Sequence, residues 1–236
     1  MSYVYPHWPW AAPVRWLRTA WIEALMRPLV WLLAKPRVIA TDLSQIEAPL
    51  LIACNHVTAF DGALVLYALP KTLRQNIAVA MSGEMLEDYR HFRNPDHGQR
   101  QNSFLLFGPL FWLLLTALFN VFPLPRRRGF ERSFAHAGEA MDRNLHVLVF
   151  PEGTRSATGA LAPFRSGIGL LAKQSAAQIL PVALRGLGEL KTRGHGWFRS
   201  GKIEVHIGSP IRISASESEA AITQRLHDAV NALLQN

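Results

Sequence analysis

Apolar and polar positions fall into short alternating blocks from about Val38 onward, and the blocks predict strands and helices in turn. The runs "PLLIAC" (49–54), "NIAVAM" (76–81), "HVLVF" (146–150), "ILPVAL" (179–184) and "KIEVHIG" (202–208) read as strands. Between them "GALVLYAL" (62–69), "SFAHAGEAMDRN" (133–144, opened by Ser133) and "SGIGLLAKQSA" (166–176) read as helices. "SESEAAITQRLHDAVNALLQ" (216–235) follows as an amphipathic helix capped near Ser216. Strands separated by helical stretches predict an α/β fold, a layered sheet flanked by helices.

Two segments depart from this rhythm. Residues 14–34, "VRWLRTAWIEALMRPLVWLLA", carry a helical pattern interrupted by Arg15, Arg18, Glu23 and Arg27, and Pro28 is expected to kink or divide the helix. Trp8, Trp10, Trp16, Trp21 and Trp31 crowd this part of the chain. Trp and Arg together are what an interfacial helix presents to lipid headgroups; the alternative is a helix packed on the domain through its Trp face. Residues 1–36 are therefore expected to form a Trp-rich, membrane-interfacial helical segment, and residues 37–236 the main domain. The second segment, "SFLLFGPLFWLLLTALFNVFPL" (103–124), has no charged residue and is followed by "RRR". Its length suits a bilayer span. Gly108, Pro109 and Asn120 interrupt it, however, and a span there would split one sheet across two sides of a membrane. A buried or shallowly inserted hairpin is the expectation.

Composition sharpens this picture. Hydrophobic residues make up 49% and charged residues 18%, the mean hydropathy is +0.08, and the net charge of +8 gives a pI of about 10.2. An apolar surplus with excess Arg suits an anionic membrane surface or a polyanionic small ligand. Nucleic acid accounts only for the charge, because none of the usual recognition motifs is present. Cys54 is the single cysteine, so no intramolecular disulfide forms. The first residues, "MSYVYPHWPWAAPVRW", lack the basic and apolar regions of an ordinary signal peptide.

Chemistry concentrates in three places. Asn55, His56 and Asp61 stand at the exit of the strand "PLLIAC". A neutral histidine accepts a proton near pH 7, and a carboxylate on its other nitrogen fixes the tautomer. On an unbroken helix five residues turn the two apart by about 140°, so they meet only if the chain bends through "VTAF". Otherwise Asp61 is a helix N-cap and His56 an ordinary loop residue. "VFPEGTRSATG" (149–159) places Glu152, Gly153, Thr154 and Arg155 at the C-terminal edge of a buried strand, where open α/β sheets bind ligands. Gly153 allows close backbone approach, Thr154 offers a hydroxyl, Arg155 suits bidentate phosphate binding, and Glu152 accepts from a substrate hydroxyl or holds the arginine. "PLPRRRGFERS" (123–133) supplies Arg126, Arg127, Arg128 and Arg132, a phosphate grip, a headgroup anchor or a solvated loop. No G-x-S-x-G marks a serine hydrolase, and the nine histidines show no H-E-x-x-H or comparable metal-ligand spacing.

In this order the motifs resemble the glycerolipid acyltransferase family, whose best known members are 1-acylglycerol-3-phosphate acyltransferases. N-H-x4-D matches Asn55, His56 and Asp61, and F-P-E-G-T-R-S matches Phe150 through Ser156 without a change. An apolar strand around a proline matches Ile179 to Ala183 with Pro181, and an arginine after a short strand falls on Arg126. Pro125 stands where the family often has an acidic residue. The resemblance covers residues 49 to about 210 and makes residues 37–236 an acyltransferase domain. It implies a His56–Asp61 general-base dyad and acceptor binding by Arg126, Glu152, Gly153, Thr154 and Arg155. Asn55, Pro151, Ser156 and Pro181 are implied as supporting residues. It implies acyl-CoA or acyl-acyl carrier protein as co-substrate, with no cofactor and no metal. The implied acceptor is 1-acylglycerol 3-phosphate, with glycerol 3-phosphate or another lysolipid as alternatives. The expected location is the cytoplasmic face of the inner or plasma membrane, and the expected partners are the lipid substrate, the membrane surface and acyl carrier protein. Cys54 closes an apolar strand and reads as a small hydrophobe, not an acyl carrier. The reading from another class is a non-catalytic membrane-binding protein, which leaves His56, Asp61 and Glu152 unexplained.

Overall fold

Leu50, Ile52 and Cys54 face one side of a central sheet while Leu51 and Ala53 face the other, and all five are buried. That two-sided burial makes a continuous apolar run the natural sequence for a central strand. The computed structural model of the chain describes residues 3–44, 46–93, 107–125, 129–192, 202–214 and 216–235. Its strands are β1 (Arg37–Ala40), β2 (Leu50–Cys54), β3 (Ile77–Ser82), β4 (Val121–Leu124), β5 (His146–Val149), β6 (Gln178–Arg185) and β7 (Glu204–Ile207). They form one sheet in the order β1-β7-β6-β2-β5-β3-β4. All neighbours are parallel except β6 and β7, which pair antiparallel.

Helices cover both faces: α1 (Ala12–Trp21), α2 (Arg27–Ala34), α3 (Asp61–Ala68), α4 (Lys71–Arg74), α5 (Gly83–Arg90), α6 (Gly108–Phe119), α7 (Phe130–Asp142), α8 (Gly167–Ser175), α9 (Leu187–Thr192) and α10 (Glu219–Gln235). Side chains of α2, α3 and α6 join one core cluster, and those of α7, α8 and α10 join the other. The expected layered α/β sheet is thus present. Two helix starts differ from expectation. Helix α7 opens at Phe130 behind Gly129, whose φ of 84° is the left-handed conformation glycine tolerates. Ser133 is buried inside that helix and bonds the Tyr5 hydroxyl at 2.9 Å. Helix α10 opens at Glu219, and Ser218, not Ser216, takes the Ala221 N–H on its Oγ at 3.2 Å.

The N-terminal helix does not break at Pro28. Helices α1 and α2 run on through a widened π turn at Ile22–Met26, just before the proline. Pro28 has no N–H to give to the preceding turn, and a wide turn there relieves its ring of the clash with that turn's carbonyl. The charges in this segment are engaged by other parts of the chain, and Arg18 alone among them is buried. Arg15 Nη2 donates to Asn76 Oδ1 at 2.7 Å, and Glu23 accepts from Arg74 at 2.7 and 2.9 Å and from Arg27 at 3.0 Å. Arg18 is buried and donates to the Pro9 and Ala117 carbonyls at 2.7 and 2.9 Å. Burial first, then the Arg15 charge, lowers its pKa to about 10, so it remains charged at neutral pH. Ile22, Met26, Val30 and Ala34 share the core of the main domain. Large apolar side chains face outward as well: Trp16, Leu17, Leu25, Leu29, Trp31 and Leu32, with the exposed Arg15 beside them.

Within 107–124 the expected hairpin is instead a helix followed by an edge strand. Helix α6 has 12 residues, about 18 Å at 1.5 Å per residue, well short of the roughly 30 Å of a bilayer core. Asn120 ends it at φ 53°, a conformation Asn tolerates, and donates Nδ2 to the Ile77 carbonyl at 3.0 Å as the chain enters β4. Trp112, Leu115 and Phe119 pack on the core, while Leu110, Leu113 and Leu114 are exposed. Residues 103–106 lie outside the described residues. Among the described residues no helix is long and apolar enough to cross a membrane.

Candidate active site

Parallel pairing of β2 with β5 sets Ala53 beside Val149 and brings both chain exits to the same edge of the sheet. The exit of β2 carries Asn55 and His56, and that of β5 carries Phe150 to Arg155. Two motifs about a hundred residues apart become neighbours by sheet order alone.

Asn55 ends β2 by imitating a peptide unit. Its Oδ1 accepts the Leu184 N–H at 2.7 Å and its Nδ2 donates to the Leu184 carbonyl at 3.0 Å. The side chain thereby satisfies β6 where β2 leaves the ladder, which turns the backbone out at His56. Residues 55–60 are not helical, so the chain bends before Asp61 begins α3. That bend brings His56 Nδ1 and Asp61 Oδ2 to 2.8 Å.

Asp61 is fully buried and is not an N-cap, since its carboxylate reaches back to the loop before the helix. Oδ2 also accepts the Val57 and Thr58 N–H groups at 2.6 and 3.0 Å, and Oδ1 accepts the Thr58 hydroxyl at 2.6 Å. These bonds fix the position of the carboxylate beside the histidine. Accepting from His56, it leaves the proton on Nδ1 and makes Nε2 the basic nitrogen. The His56 ring stacks on Phe150, centroids 4.4 Å apart and planes 25° apart, and 24% of its side chain is exposed. Asp61 and Phe150 thus set the ring orientation and leave part of the ring open.

Glu152 holds the two exits together. Its Oε1 accepts the His56 N–H at 2.7 Å and its Oε2 accepts the Ala162 N–H at 2.9 Å. With both oxygens so engaged and only 4% of the residue exposed, it builds the site rather than facing an acceptor. Burial pushes its carboxyl above the usual carboxylate range, against the pull of the Ala162 and His56 N–H groups. The Ser156 N–H donates to the His56 carbonyl at 2.7 Å, closing the junction from the other side. Pro151 is buried and its carbonyl accepts the Arg165 N–H at 2.9 Å.

Gly153 has φ 72°, and a Cβ there would meet Arg165 Nε, Cδ and Cζ. The glycine gives room to the Arg165 side chain, whose Nε donates to the Glu152 carbonyl at 3.3 Å. Arg165 was not singled out in the sequence; "PFRSG" reads there only as the approach to a helix, and its contact with Gly153 is a tertiary feature. Thr154 and Arg155 are exposed at the rim. Pro181 is buried in β6 opposite Ala53 and brings no polar group to the site. Its carbonyl accepts the Gly208 N–H at 2.9 Å, just beyond the β7 ladder. Strand β4 is parallel to β3 and ends at the same edge, but Arg126, Arg127 and Arg128 beyond it lie outside the described residues. Cys54 lies wholly buried under the dyad, and burial, then the Asp61 and Glu152 charges, holds its thiol well above its ordinary pKa. That is the reverse of a reactive thiolate.

The chain is similar to known proteins in sequence and in fold. Residues 99–185 match the Acyltransferase family model. A 1-acyl-sn-glycerol-3-phosphate acyltransferase of Cocos nucifera is 27% identical over 197 residues, 82% of this chain and 55% of its own length. The Homo sapiens 1-acyl-sn-glycerol-3-phosphate acyltransferase beta is 34% identical over 110 residues, 45% of this chain and 39% of its own. The chain thus spans about half the length or less of these curated relatives. In fold it matches the crystal structure of the 1-acyl-sn-glycerophosphate acyltransferase PlsC from Thermotoga maritima. The TM-score is 0.64 at 20% identity, covering 94% of this chain and 80% of that one.

Proposed function

We propose that this chain, which resembles the glycerolipid acyltransferases in family match, relatives and fold, moves a fatty acyl group from a thioester to a lysophospholipid hydroxyl. The acceptor that best fits is 1-acylglycerol 3-phosphate, giving phosphatidic acid. The observation that carries this reading is the buried Asp61 carboxylate on His56 Nδ1, with Nε2 as the basic nitrogen on the half-open ring.

His56 Nε2 takes the proton of the acceptor hydroxyl as that oxygen attacks the thioester carbonyl. The tetrahedral intermediate collapses with loss of the thiolate, which receives the same proton back from the imidazolium. Asp61 holds the ring and offsets its transient charge. Arg155 at the rim, with Arg126, binds the acceptor phosphate through charge-assisted bonds. The donor is acyl-CoA or acyl-acyl carrier protein. No covalent acyl-enzyme is required, in keeping with the sealed Cys54.

The test is acyl transfer by purified, detergent-solubilised protein from a long-chain acyl-CoA to lysophosphatidic acid, glycerol 3-phosphate and other lysophospholipids, repeated with acyl-acyl carrier protein. Transfer to a phosphate-ended acceptor is expected, with Arg155→Ala raising the KM for that acceptor by about tenfold. Silence with both donors would discard the enzyme and leave a membrane-binding protein.

The outward face of the N-terminal helix and α6 supports a reading of lipid contact. Two packed helices, tied by Arg18 on the Ala117 carbonyl and by Trp21 against Phe119 (4.9 Å between rings), both turn large apolar side chains to the outside. We infer that this surface rests in the interface of an anionic leaflet. In flotation with phosphatidylglycerol-containing vesicles, Trp16→Ser with Trp31→Ser should weaken binding by about tenfold or more. Unchanged flotation would place the lipid contact elsewhere.

A further inference from the structure

Remote from the dyad, residues 3–11 lie across α7, and three metal-ligating side chains meet there. His7 Nε2 lies 2.7 Å from Glu139 Oε2, and with His136 the three offer donor atoms all within 4.8 Å of one another. His136 and Glu139 share a face of α7 at i, i+3, and His7 reaches them from the N-terminal segment. His136 is 4% exposed and is ringed by Tyr5, His7, Trp10 and Phe122, with centroids 4.8 to 5.6 Å away. Its Nδ1 is buried without a hydrogen-bond partner among the described residues.

An exposed His–Glu pair alone contributes little and would not gather a second, buried imidazole beside it. Two imidazoles and a carboxylate, however, are a familiar donor set for zinc, which leaves a fourth position for water. Bonds of about 2.0–2.2 Å at tetrahedral angles put donors about 3.3 Å apart, a spacing that small rotations of the exposed His7 and Glu139 side chains reach from here. The packed rings around His136 hold that ligand in place.

We propose that His7, His136 and Glu139 bind one divalent transition-metal ion of zinc-like chemistry, fastening the segment that leads into α1 onto α7. The ion is structural and takes no part in acyl transfer. Ligand spacing along the sequence does not reveal it, because one donor comes from more than a hundred residues upstream.

The test uses the full chain without a histidine tag, stripped by chelator and titrated with Zn2+ by calorimetry and with Co2+ by visible absorption. One equivalent is expected, with a Co2+ spectrum of low coordination number and a Tm rise of about 5 °C at hundredfold excess over Kd. His7→Ala and Glu139→Gln alter exposed side chains and should fold; each should weaken binding by about tenfold or more. Absence of one-equivalent binding, or an affinity in both variants equal to that of the parent, would overturn the site. Acyl transfer by the stripped protein should match that of the loaded protein; its loss would overturn the structural assignment.

Discussion

His56→Ala should lower kcat by about 10²- to 10⁴-fold while leaving the fold intact, the range general-base removal typically gives. The anchoring of this residue is mostly in its backbone: its N–H donates to Glu152 and its carbonyl accepts from Ser156, and alanine keeps both. The lost side chain leaves behind a Phe150 face and one of several bonds to Asp61. Asp61 still accepts from Val57 and Thr58, so the cost in stability is about 1 kcal/mol. Steady-state kinetics beside a thermal melt separate the two effects. Activity within tenfold of the parent, at an unchanged Tm, would remove His56 from the chemistry.

Asp61→Asn should lose activity on a similar scale, and here the fold suffers as well. Oδ2 alone takes three N–H donors: His56 Nδ1, Val57 and Thr58. An amide oxygen in that place keeps the contacts but loses their charge assistance and the counter-charge for the imidazolium. The amide nitrogen in that place would confront backbone donors and drive the histidine into the other tautomer. Either way stability should fall by about 1–3 kcal/mol and kcat by about 10²- to 10⁴-fold. The decisive comparison is the double variant. If the two residues act as a unit, His56→Ala with Asp61→Asn is no slower than the worse single change, and multiplied losses would count against a dyad.

Much of this site was legible because its parts are local. The runs "PLLIAC" and "HVLVF" announce buried strands, and polar residues just beyond a buried strand have to leave the core. Whether His56 and Asp61 meet was open in the sequence, since five residues of helix would part them; the bend before Asp61 decides it. Other parts were illegible because their partners are remote. Glu152 resembles a substrate ligand until its two oxygens are seen to be taken by His56 and Ala162. Arg18 and Glu23 resemble parts of an outward charged face until the Pro9 and Ala117 carbonyls and the Arg74 guanidinium are found to hold them. Strand β4, four residues long, continues the apolar run of a helix; the resemblance implies a short strand before Arg126, but the left-handed turn at Asn120 that separates the two is a feature of the fold. The antiparallel β7 was read as a strand, but nothing in "KIEVHIG" gives its direction.

Cys54 has a consequence for how this chain can be studied. Its sulfur is the only thiol in the sequence and is wholly buried beneath the dyad. Maleimide and nitroxide reagents therefore have nothing to attack on the native surface. A cysteine introduced on the outward helical face, at Leu25 or Leu113 for instance, becomes a unique attachment point with no need to strip the parent residue first. Spin labels there would measure immersion depth in a leaflet, with the acyl-transfer machinery left as it stands.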